Sequence, residues 1–123
     1  MSASDSAYWP VELRLKQAEK VVEISFDDGS RFILPAEYLR VESPSAEVQG
    51  HGPEQKTLVH GRAHVGIIGL EPVGNYAVRI IFDDLHDTGI YSWTYLHQLG
   101  VEHEKRWREY LTALAANGLS REP

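Results

Sequence analysis

Four polar side chains in one short stretch have the clearest chemical potential in this chain. Asp83, Asp84, His86 and Asp87 lie where the chain leaves its strongest predicted strand. Carboxylates beside an imidazole can hold a metal ion between them or pass a proton. The same residue types are common in loops after strands, so the pattern is also compatible with an ordinary surface turn.

Two aromatic residues, Tyr91 and Trp93, closely follow this acidic loop. Large rings beside a polar loop could form a surface that binds a ligand or a partner. Rings at these spacings more often belong to a core, because amphipathic elements bury their large rings first. Both interpretations stay open, and the first requires that one ring remains exposed beside His86.

The segment from residue 43 to residue 64 has no periodic pattern and is rich in Ser, Pro, Gly, His and Gln. A connection this long is uncommon and is typical of a functional or mobile loop. His60 and His64 have the i,i+4 spacing of two metal-binding imidazoles on a helix, but Gly61 and the polar surroundings argue against a helix there. His51, in the same segment, is a further candidate ligand or contact residue near the acidic loop.

The composition and motifs exclude several classes of function. The 123 residues include no cysteine, which excludes disulfides, thiolate zinc sites, cysteine-ligated iron–sulfur clusters and a thiol nucleophile. There is no G-x-S-x-G nucleophile elbow and no phosphate-binding glycine loop. The formal net charge of −6 disfavours nucleic acid as a partner, since phosphate binding needs clustered Lys and Arg.

The sequence pattern also bears on location. The first ten residues lack the basic and apolar regions of a secretory signal. No apolar run approaches the roughly 18–20 residues of a membrane span. We therefore expect a cytoplasmic protein with no membrane partner.

Hydrophobic periodicity predicts the elements that must position these side chains. Period-two alternation and β-branched composition predict five strands, at residues 11–16, 22–26, 31–34, 65–70 and 76–82. Helices are predicted at residues 36–40, 93–99 and 102–116, the second capped by Ser92 and the third amphipathic. The predicted fold is a single α+β domain, a mainly antiparallel sheet of about five strands with helices packed on one side.

Many of these residues together resemble the gamma-butyrobetaine hydroxylase-like N-terminal domain family. The resemblance spans about residues 9–100, with residues 1–8 expected to be disordered and residues 101–118 expected to form a C-terminal helix that completes the same domain. The matching pieces are Trp9-Pro10, Asp27-Asp28-Gly29-Ser30 between two strands, Leu39-Arg40, Ser43 to Glu47, Glu71-Pro72, Gly74 to Tyr76, Phe82 to Asp84, and His86 to Trp93.

The resemblance implies that a metal site has been lost. Hydroxylases of this family hold a structural zinc in this module through one histidine and three cysteines that follow a Leu-Arg pair. Here Ser43, Ser45 and Val48 stand at the cysteine positions, and His86 resembles the histidine. Serine is a poor zinc ligand and valine is none, so we expect no bound metal and no cofactor. The catalytic domain of the hydroxylases is absent, so we expect no hydroxylase activity and no enzyme.

The functional prediction is a non-catalytic accessory domain that binds a protein partner. Related modules are fused to P-loop iron–sulfur carrier ATPases, which implies a link to iron or iron–sulfur metabolism and an assembly factor as the partner. Two alternatives remain, a metal-binding domain with nitrogen and oxygen ligands around His86, and an enzyme with a site at His86 and Asp84. The candidate interaction surface consists of His51, Asp84, His86, Asp87, Tyr91 and Trp93.

Overall fold

The first half of the chain folds into an antiparallel meander. The computed structural model describes residues 8–50 and 56–123. His51 lies outside these ranges, and so do residues 1–7, for which disorder was predicted. Strands β1 (Pro10–Lys16), β2 (Val21–Phe26) and β3 (Arg31–Pro35) form a sheet in the order β1-β2-β3. Alternation along β2 places one row of apolar side chains in the core, and Gly29 provides the φ of 88° that the turn before β3 requires.

A second antiparallel sheet follows the long loop. It contains β4 (Ile67–Val73), β5 (Ala77–Phe82) and β6 (Ile90–Ser92) in the order β4-β5-β6. The mixed α+β class and the single small domain are confirmed. The prediction of one sheet of about five strands is wrong, because the described strands form two separate sheets of three.

The two sheets approach each other where β1 lies near β4. The side chain of Gln17 joins them by donating from Nε2 to the carbonyls of Ile67 and Ile68, at 3.2 and 3.0 Å. A side chain of the turn after β1 thus connects the two sheets at this point. Strand β6 was missed because three residues are too short to display a period.

Four helices are present in the described residues: α1 (Ala36–Val41), α2 (Ala46–Gln49), α3 (Trp93–Val101) and α4 (His103–Ala116). The short helix α2 was not predicted.

The cap that Ser92 was expected to provide is confirmed, since its hydroxyl accepts from the backbone N–H of Tyr95 at 3.1 Å. The predicted stop of this helix at Gly100 is wrong, because α3 continues to Val101. Gly100 serves packing instead, since a Cβ there would lie 2.3 Å from the ring of Phe32.

The buried apolar side chains form two clusters. The larger one fills the space between the sheets and α3, and includes Ile24, Leu34, Ile80, Phe82 and Leu96. The smaller one lies under α4 and consists of Val41, Val48, Val59, Tyr110 and Leu114. The second cluster joins α4 to the segment that contains Ser43, Ser45 and Val48.

Four tyrosine hydroxyls connect separate elements of the fold by donating to backbone carbonyls that are distant in sequence. Two of the acceptors, Leu39 and Glu42, lie at the C-terminal end of α1, where helix carbonyls have no partner within the helix. The four bonds are Tyr91 to Leu39 at 2.5 Å, Tyr95 to Glu42 at 2.5 Å, Tyr38 to Leu99 at 2.7 Å and Tyr110 to Val59 at 2.8 Å.

We expect Tyr91→Phe to lower the free energy of unfolding by about 1–3 kcal/mol, because it leaves the buried carbonyl of Leu39 without a donor. Urea denaturation would measure the change. Tyr76→Phe is the matched control, since that ring is 53% exposed and its hydroxyl can bond to water. Equal stability of the two variants would contradict a structural role for the Tyr91 hydroxyl.

Candidate functional site

The candidate site forms around the carboxylate of Asp84, in the loop between β5 and β6. Its Oδ2 accepts hydrogen bonds from Nε of Arg40 and Nε of Arg62, each at 2.8 Å. Its Oδ1 accepts from the backbone N–H of His86 at 3.1 Å. Burial raises the pKa of Asp84, but the hydrogen bonds from Arg40 and from the His86 N–H, with the charges of both arginines, outweigh burial and lower it. Asp84 is therefore ionised and bound on both oxygens.

The two arginines reach Asp84 from different elements. Arg40 lies in the last turn of α1 and is 8% exposed. Arg62 belongs to the long connection and is flanked by two backbone hydrogen bonds of 2.9 Å, from Gly61 N–H to the carbonyl of Ser120 and from Ala63 N–H to that of Arg121. The C-terminal residues thus position Arg62 by holding the backbone on either side of it.

The structure brings Ser43, Ser45 and His86 together. The Nε2 atom of His86 lies 2.9 Å from the Ser43 hydroxyl and 3.4 Å from the Ser45 hydroxyl, and the two hydroxyls are 3.2 Å apart. All three residues are buried, Ser43 completely. Burial, and next the charge of Arg40, lower the pKa of His86, so the imidazole is neutral at pH 7. Hydrogen bonds among neutral groups thus occupy the position that the resemblance assigns to zinc.

Gly89 allows this close packing. A Cβ at this position would lie 2.6 Å from the Ser43 hydroxyl and 3.0 Å from the ring of Tyr91. Such distances are well inside van der Waals contact, so only glycine lets the β5–β6 loop lie this close to Ser43.

Val48, at the third position that the resemblance assigns to a cysteine, is part of the apolar core. Val48 is 2% exposed and belongs to the apolar cluster under α4. Residues 8–50 and 56–123 contain no group of three or more His, Cys, Asp or Glu side chains placed to hold a metal ion. The hypothesis of nitrogen and oxygen ligands around His86 gains no support, because Asp84 binds arginines; its proposed ligand His51 lies outside the described residues.

The other predicted site residues are distributed differently from the expected surface. Tyr91 is completely buried and Trp93 is 9% exposed, with its indole N–H donating to the carbonyl of Asn75 at 3.0 Å. This corrects the interpretation of the two rings as an exposed shelf, because both rings belong to the main core. Asp87 is exposed and pairs with Arg79 at 3.4 Å.

Ser43 and His86 are separated by the distance expected of a catalytic nucleophile and its base, but their surroundings differ from those of a catalytic pair. Ser43 has 0% exposure, so a substrate cannot reach its hydroxyl. Asp84 binds the backbone N–H of His86 and not its ring, so it does not orient the imidazole as a triad acid would. The arrangement supports a structural hydrogen-bond cluster.

Sequence reasoning missed three residues that the structure places at this site. Arg40 and Arg62 bind Asp84 from 44 and 22 residues away, and no local pattern signals such pairs. Leu85 is 89% exposed and adopts a φ of 74°, a conformation that few L residues other than Asn and Asp adopt. In the sequence, the only indication of an exposed residue with unusual backbone conformation was a leucine placed among acids in a short loop.

The fold and this hydrogen-bond cluster define a small α+β module of a known class. The family described as gamma-butyrobetaine hydroxylase-like, N-terminal, matches residues 13–97, and the chain belongs to that family. No curated protein matches the chain. No helix within residues 8–50 and 56–123 has the length and apolar character needed to cross a membrane.

Solved structures include similar proteins. A protein determined by NMR in solution shares 44% identity over 94% of this chain and 91% of its own, with a TM-score of 0.82. A second, also from NMR, shares 46% identity over 100% of this chain and 92% of its own, with a TM-score of 0.83. The crystal structure of a DUF971 family protein of unknown function from Acidithiobacillus ferrooxidans shares 38% identity over 74% of this chain and 91% of its own, with a TM-score of 0.63.

We expect the triple substitution S43C/S45C/V48C to create a zinc site with His86, since three thiolates and one imidazole form a tetrahedral set. Elemental analysis after gel filtration should find about one zinc per chain, and zinc should raise the melting temperature because it binds only the folded state. The matched control S43A/S45A/V48A should do neither. A folded triple-cysteine variant without zinc would contradict the assignment of these positions.

The site also predicts a pH dependence. Because the pKa of His86 is lower in the folded state, the unfolded chain takes up a proton first as the pH falls. The contribution of the neutral His86 to stability is therefore complete above about pH 6.5, and it declines as the pH falls towards the folded pKa. The lowered pKa of Asp84 gives a contribution that is complete above about pH 4 and is lost as the pH falls through its folded value.

Denaturation between pH 8 and pH 3 would measure both effects, with slopes of at most about 1.4 kcal/mol per pH unit for each group. His103 also has a pKa lowered by burial, so wild type must be compared with His86→Gln. That variant should lose part of the slope near pH 6 and keep the slope below pH 4. An unchanged slope near pH 6 would contradict a neutral, buried His86.

Proposed function

We propose that this protein is a non-catalytic interaction domain that presents the β5–β6 loop, residues 83–89, to a protein partner. The observation that carries the proposal is Leu85, an 89% exposed leucine held at a φ of 74°. A positive φ in a bulky residue carries a strain of about 1–3 kcal/mol and persists only where the surroundings enforce it. Such strain is concentrated at functional positions.

The residues on both sides of Leu85 enforce this conformation. Asp83 exchanges backbone and side-chain hydrogen bonds of 3.0 Å with Gly66. Asp84 is held by its two arginines, and the backbone carbonyl of His86 accepts from Phe82 N–H at 3.0 Å. The loop is therefore fixed before any partner arrives, which lowers the entropy lost on binding.

The charges around Leu85 indicate the chemistry of the partner. The exposed acids Asp83 and Asp87 flank it, and the side chain of Asp87 is 51% exposed. An apolar socket with lysine or arginine at its rim would complement both the leucine and the acids. Of the residues in the sequence prediction, the proposed surface keeps Asp87, while Asp84 and His86 hold the loop from beneath and Tyr91 and Trp93 lie in the core.

The link to iron–sulfur metabolism rests on the family resemblance alone and identifies the first partner to test. Related modules fused to P-loop iron–sulfur carrier ATPases imply that such an ATPase meets this module in the cell. Because the chain has no cysteine, its role in cluster assembly would be docking or regulation, without thiolate ligands for the cluster.

We expect Leu85→Asn to weaken binding to a purified P-loop iron–sulfur carrier ATPase from the same organism by at least about tenfold, measured by biolayer interferometry. Asparagine adopts a positive φ readily, so the variant should be as stable as wild type or slightly more stable. Val101→Asn is the matched control, because Val101 is a 65% exposed apolar residue on a different element, and it should bind like wild type.

Two results would contradict different parts of the proposal. If the ATPase does not bind wild type, the iron–sulfur link fails. The interaction role would then be tested by photo-crosslinking from position 87 in cells. A true partner should crosslink to wild type and to Val101→Asn but not to Leu85→Asn. If no identified partner shows this pattern, the interaction role fails.

A further inference from the structure

A cavity of about 400 Å³ adjoins the Asp84 cluster, on the side formed by α1, α2 and residues 57–62. Its polar lining includes Arg40, Arg62 and His86, and its apolar lining includes Val48 and Val59. A volume of this order is typical of sites for small organic ligands, which combine apolar walls with a few polar groups. None of the proposed contacts of Leu85 requires this cavity.

Arg40 is the most unusual group in the lining. Its guanidinium carries five N–H donors, and Nε donates to Asp84. The Nη1 atom is buried and has no hydrogen-bond partner among residues 8–50 and 56–123. Buried charged donors are almost always paired, so this one requires an explanation.

The acids nearby do not supply the missing acceptor. Asp84 uses one oxygen for both arginines and the other for the backbone N–H of His86. Glu47 also lines the cavity, but it is exposed at the rim and accepts a hydrogen bond from the Thr88 hydroxyl. The inner end of the cavity thus has two guanidinium groups that share a single oxygen of one carboxylate, and the carboxylate of Glu47 lies farther out at the rim.

We infer that this cavity binds a small organic anion, a carboxylate or a phosphate monoester on an apolar body. The anionic group accepts hydrogen bonds from Arg40 and Arg62, which share one oxygen of Asp84 and keep further N–H donors. The apolar body lies against Val48 and Val59. Guanidinium groups suit both anions because their donors match two oxygens at once.

The test compares three ligands with the same six-carbon chain: hexanoate, hexyl phosphate and the neutral hexanamide. In NMR titrations of the full chain up to about 10 mM, a range that detects weak binding, either anion should shift the Arg40 Nε–H signal and the backbone amides of Val59 and His60. Hexanamide should not shift them. The anion with the lower dissociation constant identifies carboxylate or phosphate as the preferred group.

Arg62→Gln should weaken binding of that anion by about tenfold, because a charge-assisted hydrogen bond is lost. Arg108→Gln, an exposed arginine on α4, is the matched control and should leave binding unchanged. Arg62 is chosen over Arg40 because its side chain is 36% exposed and its removal leaves Arg40 on Asp84. The inference is overturned by the absence of shifts with both anions, by equal shifts with hexanamide, or by equal losses in the two variants.

Discussion

The carboxylate of Asp84 is the interaction on which the rest of the site depends. It joins the end of α1, the long connection and the β5–β6 loop through Arg40, Arg62 and the backbone of His86. A partly buried carboxylate such as that of Asp84 is stabilised when its oxygens are bonded and its charge is matched. Because one carboxylate satisfies these needs for three segments at once, the position of Leu85, the placement of His86 against Ser43 and the charge of the cavity share a single cause.

The second feature is that Ser43, Ser45 and Val48 stand where the resemblance places zinc-binding cysteines, and neither serine nor valine replaces a thiolate as a zinc ligand. A structural zinc contributes on the order of 10 kcal/mol in small domains, whereas a hydrogen bond contributes about 1 kcal/mol net. The cluster of Ser43, Ser45 and His86 therefore cannot replace zinc by itself. Burial of a large apolar side chain contributes about 1.5–3 kcal/mol, and Tyr110 and Leu114 of α4 cover Val48 in this way. Helix α4 lies beyond residues 13–97, so this stabilisation comes from outside the matched module.

Local physics made much of the fold predictable. Alternation along β2 and the turn at Asp27-Asp28-Gly29 predict the first sheet, since a two-residue period and a positive φ are both local properties. The cap at Ser92 was predictable for the same reason. The division into two sheets was not, because the choice of which strands pair is set by long-range contacts and not by the pattern within a strand.

The candidate site was less accessible to sequence reasoning. The proximity of Ser43 and His86 came from the family resemblance and not from their spacing of 43 residues. The roles of Arg40 and Arg62 depend on long-range pairing, and the exposure of Leu85 depends on a backbone conformation that its residue type disfavours. The acids and the histidine identified the correct loop, but the partners that fix the loop lie in other elements.

The four tyrosines that donate to distant backbone carbonyls make the stability of the fold sensitive to alkaline solution. Burial raises the pKa of Tyr95 and of Tyr110 to about 12, and raises those of Tyr38 and Tyr91 further. Above pH 10 an unfolded chain releases these phenolic protons while the native chain retains them, so base draws the equilibrium towards unfolding. The ultraviolet band of phenolate would then appear as the domain opens, and the protein carries its own optical reporter of cooperative unfolding.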